Sequence, residues 1–150
     1  MKRKPKDILF VSIQLILFFA YLFRFSPIDF EISSWLQYIG LIFSITGMII
    51  GIASLLALNR NLSIFPTPKQ TAELIQSGIY KYIRHPIYTG VLFFVFGYAL
   101  YSENTLRMII SVSLYILFKL KATYEEELLH NKFANYSEYK KTSGTFLPKI

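Results

Sequence analysis

The stretch that decides the fold is ISSWLQYIGLIFSITGMIIGIASLLAL, residues 32–58, which contains no charged side chain. In an α-helix, 27 residues extend roughly 40 Å, at about 1.5 Å per residue. The hydrocarbon core of a bilayer is about 30 Å thick, so such a helix is long enough to cross it. The stretch therefore predicts a transmembrane helix.

Three further apolar stretches lie on either side of this segment. They cover residues 8–23, 86–102 and 108–118, and charged residues occur only at their edges, where long cationic side chains can reach the membrane interface. We predict an all-α, polytopic membrane helical bundle with about four transmembrane helices and short cytoplasmic interfacial helices, forming a single domain over residues 1–150. The first stretch resembles part of a signal peptide, but Arg24, Phe25 and Asp29 replace small cleavage-site residues, so we interpret it as a retained span.

Composition supports a membrane protein and excludes several classes of site. Hydrophobic residues make up 53% of the chain and charged residues 17%, against about 45–50% and about 25% in soluble domains. The absence of cysteine excludes a disulfide scaffold and thiolate sites. His85 and His130 are far apart in the chain, so no metal site is predicted. Phosphate-binding and dinucleotide-binding glycine motifs are also absent.

The distribution of positive charge predicts the orientation in the membrane. Of the 16 Lys and Arg residues, 14 fall within residues 1–7, 59–85 and 119–150, whereas the segments 24–31 and 103–107 hold one each. Because positively charged loops stay on the cytoplasmic side, both termini are expected in the cytoplasm. A nucleic-acid-binding domain would also explain the net charge of +7, but the alternation of basic segments with apolar spans argues against it.

Glycines in the second span predict a close helix contact. Gly47 and Gly51 form a GxxxG pattern, and Gly40 lies seven residues before Gly47. Such patterns allow two helix backbones to approach each other. Packing within the bundle explains this pattern at least as well as dimerisation does.

The loop between the second and third spans contains several structural signals. Pro66 and Pro68 favour an extended chain, and residues 71–76 are predicted to form a short interfacial helix that ends at Gly78. The loop then reads YKYIRHPIYTG, residues 80–90. Pro86 suits the first turn of a helix, which places the preceding Arg84 and His85 at its entrance.

The entrance to the third span has two explanations. Free backbone N–H groups and the positive end of the helix dipole, together with Arg84 and His85, suit a carboxylate or a phosphate. Alternatively, Arg84 is an ordinary positive-inside residue and His85 an interfacial histidine. The residues alone favour neither explanation.

The last apolar stretch is expected to continue past the membrane as a helix. Residues 105–133 contain neither Gly nor Pro, and a helix of that length exceeds the thickness of the bilayer core. Glu125, Glu126 and Glu127 point in three directions around such a helix. One of them is expected to face the Arg84 turn; the alternative is a solvated collar in which Lys121 and Glu125 form an i,i+4 pair.

Two patterns in the second half of the chain resemble those of a known family. The first is Leu74-x-x-x-Gly78-x-Tyr80-x-x-x-Arg84-His85-Pro86-x-Tyr88-x-Gly90, and the second is Glu125-Glu126-x-x-Leu129-x-x-x-Phe133 followed by Tyr136, Tyr139 and Phe146-Leu147-Pro148. Together they lie within residues 59–148, and they are similar to motifs of isoprenylcysteine carboxyl methyltransferases and their bacterial relatives. Phospholipid N-methyltransferases share much of the same pattern.

The resemblance implies a cytosol-facing site for S-adenosylmethionine, closed by the C-terminal segment, with an acceptor that enters from the bilayer. Carried over by position, the cofactor-binding residues are Ala72, Glu73, Leu74, Ile75, Tyr80, His85, Pro86, Ile87, Tyr88 and Glu125. The candidate catalytic residues are His85, Arg84 and Glu125. Lys121 stands where eukaryotic members have an arginine that contacts the acceptor; lysine keeps the charge but not the bidentate fork.

These observations predict an integral membrane methyltransferase that uses S-adenosylmethionine, in what the family suggests is a bacterial inner membrane, with no metal and no nucleic-acid partner. The favoured acceptor is the carboxylate of an isoprenylcysteine-like lipid, which is ionised at neutral pH and needs no general base. The alternative is the amine of an ethanolamine phospholipid, which must first lose a proton, to His85 or a glutamate. A thiol acceptor also fits.

Two further alternatives lie outside the methyltransferases. Some membrane sterol reductases, which use a nicotinamide cofactor, resemble the family around the Arg-His-Pro-x-Tyr turn, but they are larger and tend to carry Asn in place of Ile87. A non-catalytic membrane scaffold is the other alternative.

Overall fold

The described residues form four long helices, one short helix and a single turn of 3₁₀ helix. The computed structural model describes residues 4–25, 30–58 and 63–149. The α-helices are α1 (Pro5–Tyr21), α2 (Ser34–Leu58), α3 (Pro86–Tyr101), α4 (Thr105–Lys132) and α5 (Tyr136–Thr142), and one turn of 3₁₀ helix spans Gly78–Lys81. The predicted all-α class is confirmed, and α1 to α4 coincide with the four predicted apolar stretches.

The helices differ in how well each could cross a membrane alone. Among the residues that the structure describes, α2 is the one helix that is both long and apolar enough, with a mean hydropathy of 2.4 over its best window. Helix α3 is equally apolar in character but has only 16 residues. The assignment of α1, α3 and α4 as further spans therefore stays a prediction.

An apolar outer surface nevertheless runs along both α1 and α2. On α1, Leu15, Ile16 and Phe19 are each at least 60% exposed, and on α2 Leu56 is 75% exposed. Large apolar faces of this kind are rare on soluble monomers. They fit a helix surface that is solvated by lipid chains, as the sequence predicts.

The ends of α3 and α4 follow local capping rules. Helix α3 begins at Pro86, where the missing N–H removes one of the unsatisfied donors of the first turn. Helix α4 begins after Asn104, whose side-chain oxygen accepts a hydrogen bond from the Arg107 backbone N–H at 2.9 Å. This N-cap fixes the turn between the two helices.

The predicted interfacial helix over residues 71–76 is wrong. That segment lacks helical structure, and the helical turn begins at Gly78 instead of ending there. Gly78 has a φ of +58°, a left-handed conformation that glycine adopts at little cost. Six residues are too few to stabilise a helix by themselves, and here the side chains of Ala72 and Leu74 face a cavity described below.

Helices α2 and α3 pack with their backbones in direct contact. A Cβ atom added to Gly47 would lie 2.4 Å from the Phe94 backbone nitrogen, and one added to Gly97 would lie 2.4 Å from the Gly40 carbonyl oxygen. Gly47 lies beside Phe94, whereas the earlier Gly40 lies beside the later Gly97, so the two helices run antiparallel. The glycines of α2 therefore serve packing within the chain, as one of the two sequence explanations proposed.

The core on the other side of α3 is filled by α1 and α4. It includes Leu92 and Val95 of α3 and the fully buried Leu114 and Phe118 of α4. The Tyr21 hydroxyl, at the end of α1, donates to the Val95 carbonyl at 2.6 Å. Helix α3 is thus held on both sides, and its N-terminus is fixed relative to α4.

Alanine substitutions test the α2–α3 contact. We expect Gly47→Ala and Gly97→Ala each to destabilise the protein by about 1–3 kcal/mol, because the added methyl group overlaps backbone atoms. Gly51→Ala is the matched control, since a Cβ at this position meets nothing within 4 Å. Thermal unfolding in detergent measures all three, and an equal loss in Gly51→Ala would contradict the packing explanation.

Candidate functional site

The Arg84 side chain connects three parts of the chain. Its Nε donates to Glu126 Oε1 on α4 at 2.9 Å, and its Nη2 donates to the Thr145 hydroxyl at 2.8 Å. Its Nη1 donates to the Ser143 carbonyl. The Arg84 side chain is only 6% exposed, so these partners satisfy a buried cation rather than leave it open for a ligand.

Backbone hydrogen bonds also join the residues just before α3 to the C-terminal segment. The Arg84 N–H donates to the Gly144 carbonyl at 2.9 Å, the His85 N–H donates to the Thr145 carbonyl at 3.1 Å, and the Gly144 N–H donates to the Tyr82 carbonyl at 3.0 Å. Ile83 and Gly144 form a parallel β-bridge. The C-terminal segment is thereby fixed across the entrance of α3.

Two of the three adjacent glutamates face this entrance. Glu126 binds Arg84 and also accepts from Lys140 Nζ at 2.9 Å. Glu125 Oε2 accepts from the Tyr88 hydroxyl at 2.9 Å and lies 3.7 Å from His85 Nδ1. Glu127 is exposed. One glutamate was expected to face the Arg84 turn, and the structure places two there, Glu125 and Glu126.

The charge state of Glu126 depends on the groups around it. Burial alone would raise the pKa of this carboxyl, but His85, Lys140 and Arg84 outweigh burial and lower it to about 2. Glu126 is thus ionised at neutral pH. The pair that it forms with Arg84 is a fixed structural feature of the site.

His85 and Tyr88 form a stacked aromatic pair at the start of α3. Their ring centroids are 5.3 Å apart with parallel planes, and Tyr88 stacks in turn on Phe118 of α4, 4.7 Å away. The histidine is buried. Its Nε2 lies 3.4 Å from Glu126 Oε1, but it makes no hydrogen bond there.

A cavity of about 620 Å³ opens beside this aromatic pair. Its size falls in the range of small-molecule and cofactor sites, about 300–1,000 Å³. The predicted site residues in its lining are Ala72, Glu73, Leu74, Ile75, Tyr80, Arg84, His85, Ile87, Tyr88, Lys121 and Glu125. Pro86 is the predicted residue that does not line it; this proline is buried in the first turn of α3.

Lys121 places a buried positive charge in the cavity wall. The residue is 1% exposed, and its Nζ donates to Gln14 Oε1 on α1 at 2.7 Å and to the Ile64 carbonyl at 3.1 Å. Both partners are neutral. Within the described parts of the chain, no carboxylate lies within 4.0 Å of this ammonium, so the suggested Lys121–Glu125 ion pair does not form.

Tyr136 has a buried hydroxyl beside the same cavity. The residue lines the cavity and is 1% exposed, and among the described residues its hydroxyl has no hydrogen-bond partner. Burial raises the pKa of Tyr136 well above its usual value, so the hydroxyl remains a donor at neutral pH. A buried donor without a partner is costly, and a polar ligand atom would remove that cost.

Sequence reasoning missed several residues that shape the site. They are Gln14, Ile64, Glu126, Lys140, Ser143 and Thr145. Glu126 was visible as one of three glutamates, but its selection depends on the rotation of α4. Gln14 was detectable only as a lone amide within an apolar stretch, and nothing in the sequence paired it with Lys121.

Comparison with known proteins gives a family and a fold. The family model described as Phospholipid methyltransferase matches residues 35–136. The chain is 31% identical over 126 residues to a Protein-S-isoprenylcysteine O-methyltransferase of Xenopus laevis, covering 81% of this chain and 44% of the relative. It is 27% identical over 120 residues to the protein of the same name from Tribolium castaneum, covering 77% and 43%.

A solved structure has the same fold. The structure of the eukaryotic intramembrane Ras methyltransferase isoprenylcysteine carboxyl methyltransferase matches with a TM-score of 0.69 at 23% identity, covering 100% of this chain and 55% of that chain. This chain spans about half the length of the relatives that it matches.

Removing the Glu126 carboxylate tests the anchor at Arg84. Glu126→Gln should destabilise the protein by about 3–5 kcal/mol, because it leaves a buried guanidinium without its counter-ion. The wild-type protein should lose this stabilisation as the pH falls from about 4.5 to about 2, since a carboxyl with a lowered folded-state pKa stabilises above its unfolded pKa.

Thermal unfolding in detergent across this pH range measures the stability of wild type and variant. Glu127→Gln is the control, because that side chain is exposed and should change stability by no more than about 0.5 kcal/mol. Equal melting of the two variants would show that Arg84 does not depend on Glu126.

Proposed function

Since the chain belongs to the phospholipid methyltransferase family, we propose that it is a membrane methyltransferase that transfers the methyl group of S-adenosylmethionine to a lipophilic acceptor. The observation that carries the proposal is that both sequence motifs line one cavity of about 620 Å³. The first motif contributes Tyr80, His85 and Tyr88, and the second contributes Glu125 and Tyr136. Residues at least 37 positions apart in the chain thus converge on a single ligand-sized space.

The cavity has the groups that such a cofactor needs. Tyr136 supplies a hydrogen-bond donor that has no partner in the described parts of the chain, Glu125 supplies a carboxylate, and residues 72–75 supply a wall without helical structure. When bound, S-adenosylmethionine supplies an electrophilic methyl group on a positively charged sulfur. The Glu125 carboxylate favours a cation in this space.

Lys121 favours an anionic acceptor. Its buried ammonium has only neutral hydrogen-bond partners, and a buried cation gains most from an anionic ligand. We therefore favour the carboxylate of an isoprenylcysteine-like acceptor, which would lie against Lys121 and needs no general base because it is ionised at neutral pH. Protein residues then act by positioning the acceptor and excluding water.

Amine methylation is the second candidate. The Glu125 carboxylate, which lines the cavity beside His85, is a group that can accept the proton of an ammonium acceptor. An ethanolamine phospholipid also carries a phosphate that Lys121 can bind. Lys121 is therefore compatible with both acceptors, and only a measurement of methyl transfer distinguishes them.

We assign Arg84 a positioning role within the proposed enzyme. Its guanidinium is occupied by Glu126, Ser143 and Thr145, so it holds the C-terminal segment against the cavity. The cytoplasmic orientation of this site, the bacterial inner membrane and the single-domain organisation stay predictions from charge distribution and family resemblance.

Cofactor binding is the first experiment. We expect calorimetry on the detergent-purified protein, with added lipid, to show saturable binding of S-adenosylmethionine. Tyr136→Phe and Glu125→Gln should each weaken binding by about threefold to tenfold or more, because each removes one hydrogen-bonding group. Glu127→Gln should bind like wild type. Absence of binding by folded wild-type protein would overturn the methyltransferase proposal and make a nicotinamide cofactor the next to test.

Acceptor choice is tested through Lys121. Lys121→Gln should raise the KM for an S-prenylated cysteine with a free carboxylate by about tenfold or more, because one charge-assisted contact is lost. The exposed Lys119 on the same helix provides the control, Lys119→Gln, with unchanged KM. Methyl transfer to an ethanolamine phospholipid but not to the prenylated cysteine would select the amine alternative.

A further inference from the structure

A second cavity lies at the end of the helices opposite to the candidate active site. Helix α3 begins at the site with Pro86 and ends at Tyr101, a length of roughly 24 Å for a helix of this size. Around its C-terminal end is a cavity of about 520 Å³. The lining includes Arg24, Gln37, Tyr98, Ser102, Glu103 and Arg107, so all of these come from helix ends or the turns beside them.

Arg107 is the unusual feature of this cavity. It is 8% exposed, and its guanidinium lies 4.8 Å from the Tyr98 ring centroid and 5.7 Å from that of Tyr21. Its Nε donates to the Tyr21 carbonyl at 3.4 Å, which is a long hydrogen bond. In the part of the chain that the structure covers, its two terminal nitrogens donate to no residue.

The carboxylate in the lining does not neutralise Arg107. Glu103 Oε1 accepts from the Ile32 backbone N–H at 2.9 Å and from Gln37 Nε2 at 2.8 Å, and no ion pair joins Glu103 to Arg107 or Arg24 in the described regions. Two arginines and one glutamate give the lining a net charge of +1. Among the described residues Arg107 thus has no counter-ion, which is unfavourable for a buried guanidinium, and an anion in the cavity would supply one.

The chemistry of the lining points to a phosphate. A guanidinium offers two parallel N–H donors that match phosphate oxygens, and the hydroxyl of Ser102 and the amide of Gln37 add neutral polar groups. The cavity lies at the ends of apolar helices, on the side opposite to the predicted cytoplasmic face, where two arginines close to a membrane surface would suit the phosphate of a lipid headgroup.

We propose that this second cavity binds the phosphate of an anionic phospholipid headgroup. Because the ends of α1, α2, α3 and α4 all contribute to the lining, the bound headgroup would connect the four helices and stabilise the bundle. The proposal is independent of methyl transfer, since the cavity shares no lining residue with the candidate active site.

Thermal unfolding of the detergent-purified protein with added lipid tests the site. We expect short-chain phosphatidylglycerol to raise the Tm by several degrees and phosphatidylcholine to do so less. Arg107→Gln and Arg24→Gln should each weaken the apparent affinity for phosphatidylglycerol by about tenfold, because each removes a charge-assisted contact. Arg107→Lys should fall between wild type and Arg107→Gln, since it keeps the charge but loses the fork.

The controls separate this site from general attraction between a basic protein and acidic lipid. Lys119→Gln removes one exposed positive charge from α4 and should respond to phosphatidylglycerol like wild type. Inorganic phosphate is a third ligand; equal stabilisation by it, lost in the arginine variants, would support the phosphate site but assign it to a soluble anion.

The outcome that would overturn the proposal is a response to phosphatidylglycerol that does not depend on the arginines. Equal stabilisation of wild type, Arg24→Gln and Lys119→Gln by phosphatidylglycerol would overturn the proposal. Because Arg24 is exposed, its variant should fold even if Arg107→Gln does not. Neither S-adenosylmethionine nor an acceptor is present in these measurements, so their outcome does not depend on the proposed enzymatic function.

Discussion

A buried guanidinium needs partners for its N–H donors, and the way that Arg84 obtains them organises the end of the molecule where the candidate site lies. Glu126 supplies the counter-charge from α4, while Ser143 and Thr145 supply oxygens from the C-terminal segment. Loss of Glu126 would leave a buried charge without its counter-ion, and loss of either oxygen would leave a buried N–H donor without a partner, so three distant segments are fixed together. The cavity wall is the product of that constraint.

The glycine contact between α2 and α3 has a complementary role. Direct backbone approach at Gly47 and Gly97 sets the height of α3 relative to α2, and the core formed with α1 and α4 holds its other side. The entrance of α3, where His85 and Tyr88 stack, is therefore placed by packing along the whole helix. The polar anchor and the apolar packing fix the same element from different ends.

The cavity wall brings both signs of charge close to one aromatic ring. Lys121 contributes a buried cation with neutral hydrogen-bond partners, and its Nζ lies 5.3 Å from the Tyr88 ring centroid. The hydroxyl of the same tyrosine donates to the Glu125 carboxylate at 2.9 Å. The apolar residues exposed on α1 and α2 form a surface of the kind that lipid chains solvate.

Sequence alone determined the parts of this protein that depend on local chemistry. Runs without charge placed four helices, Pro86 and the long run without Gly or Pro placed the ends of α3 and α4, and the two spaced motifs indicated which residues share a site. Residues 71–76 were mispredicted because their side chains serve a cavity built by other segments. Only the tertiary structure selected Glu126 to bind Arg84, paired Gln14 with Lys121, and placed residues 143–145 beside the start of α3. These contacts depend on the rotation of a helix about its axis or on the approach of distant parts of the chain. Local periodicity in the sequence specifies neither the rotation nor the approach.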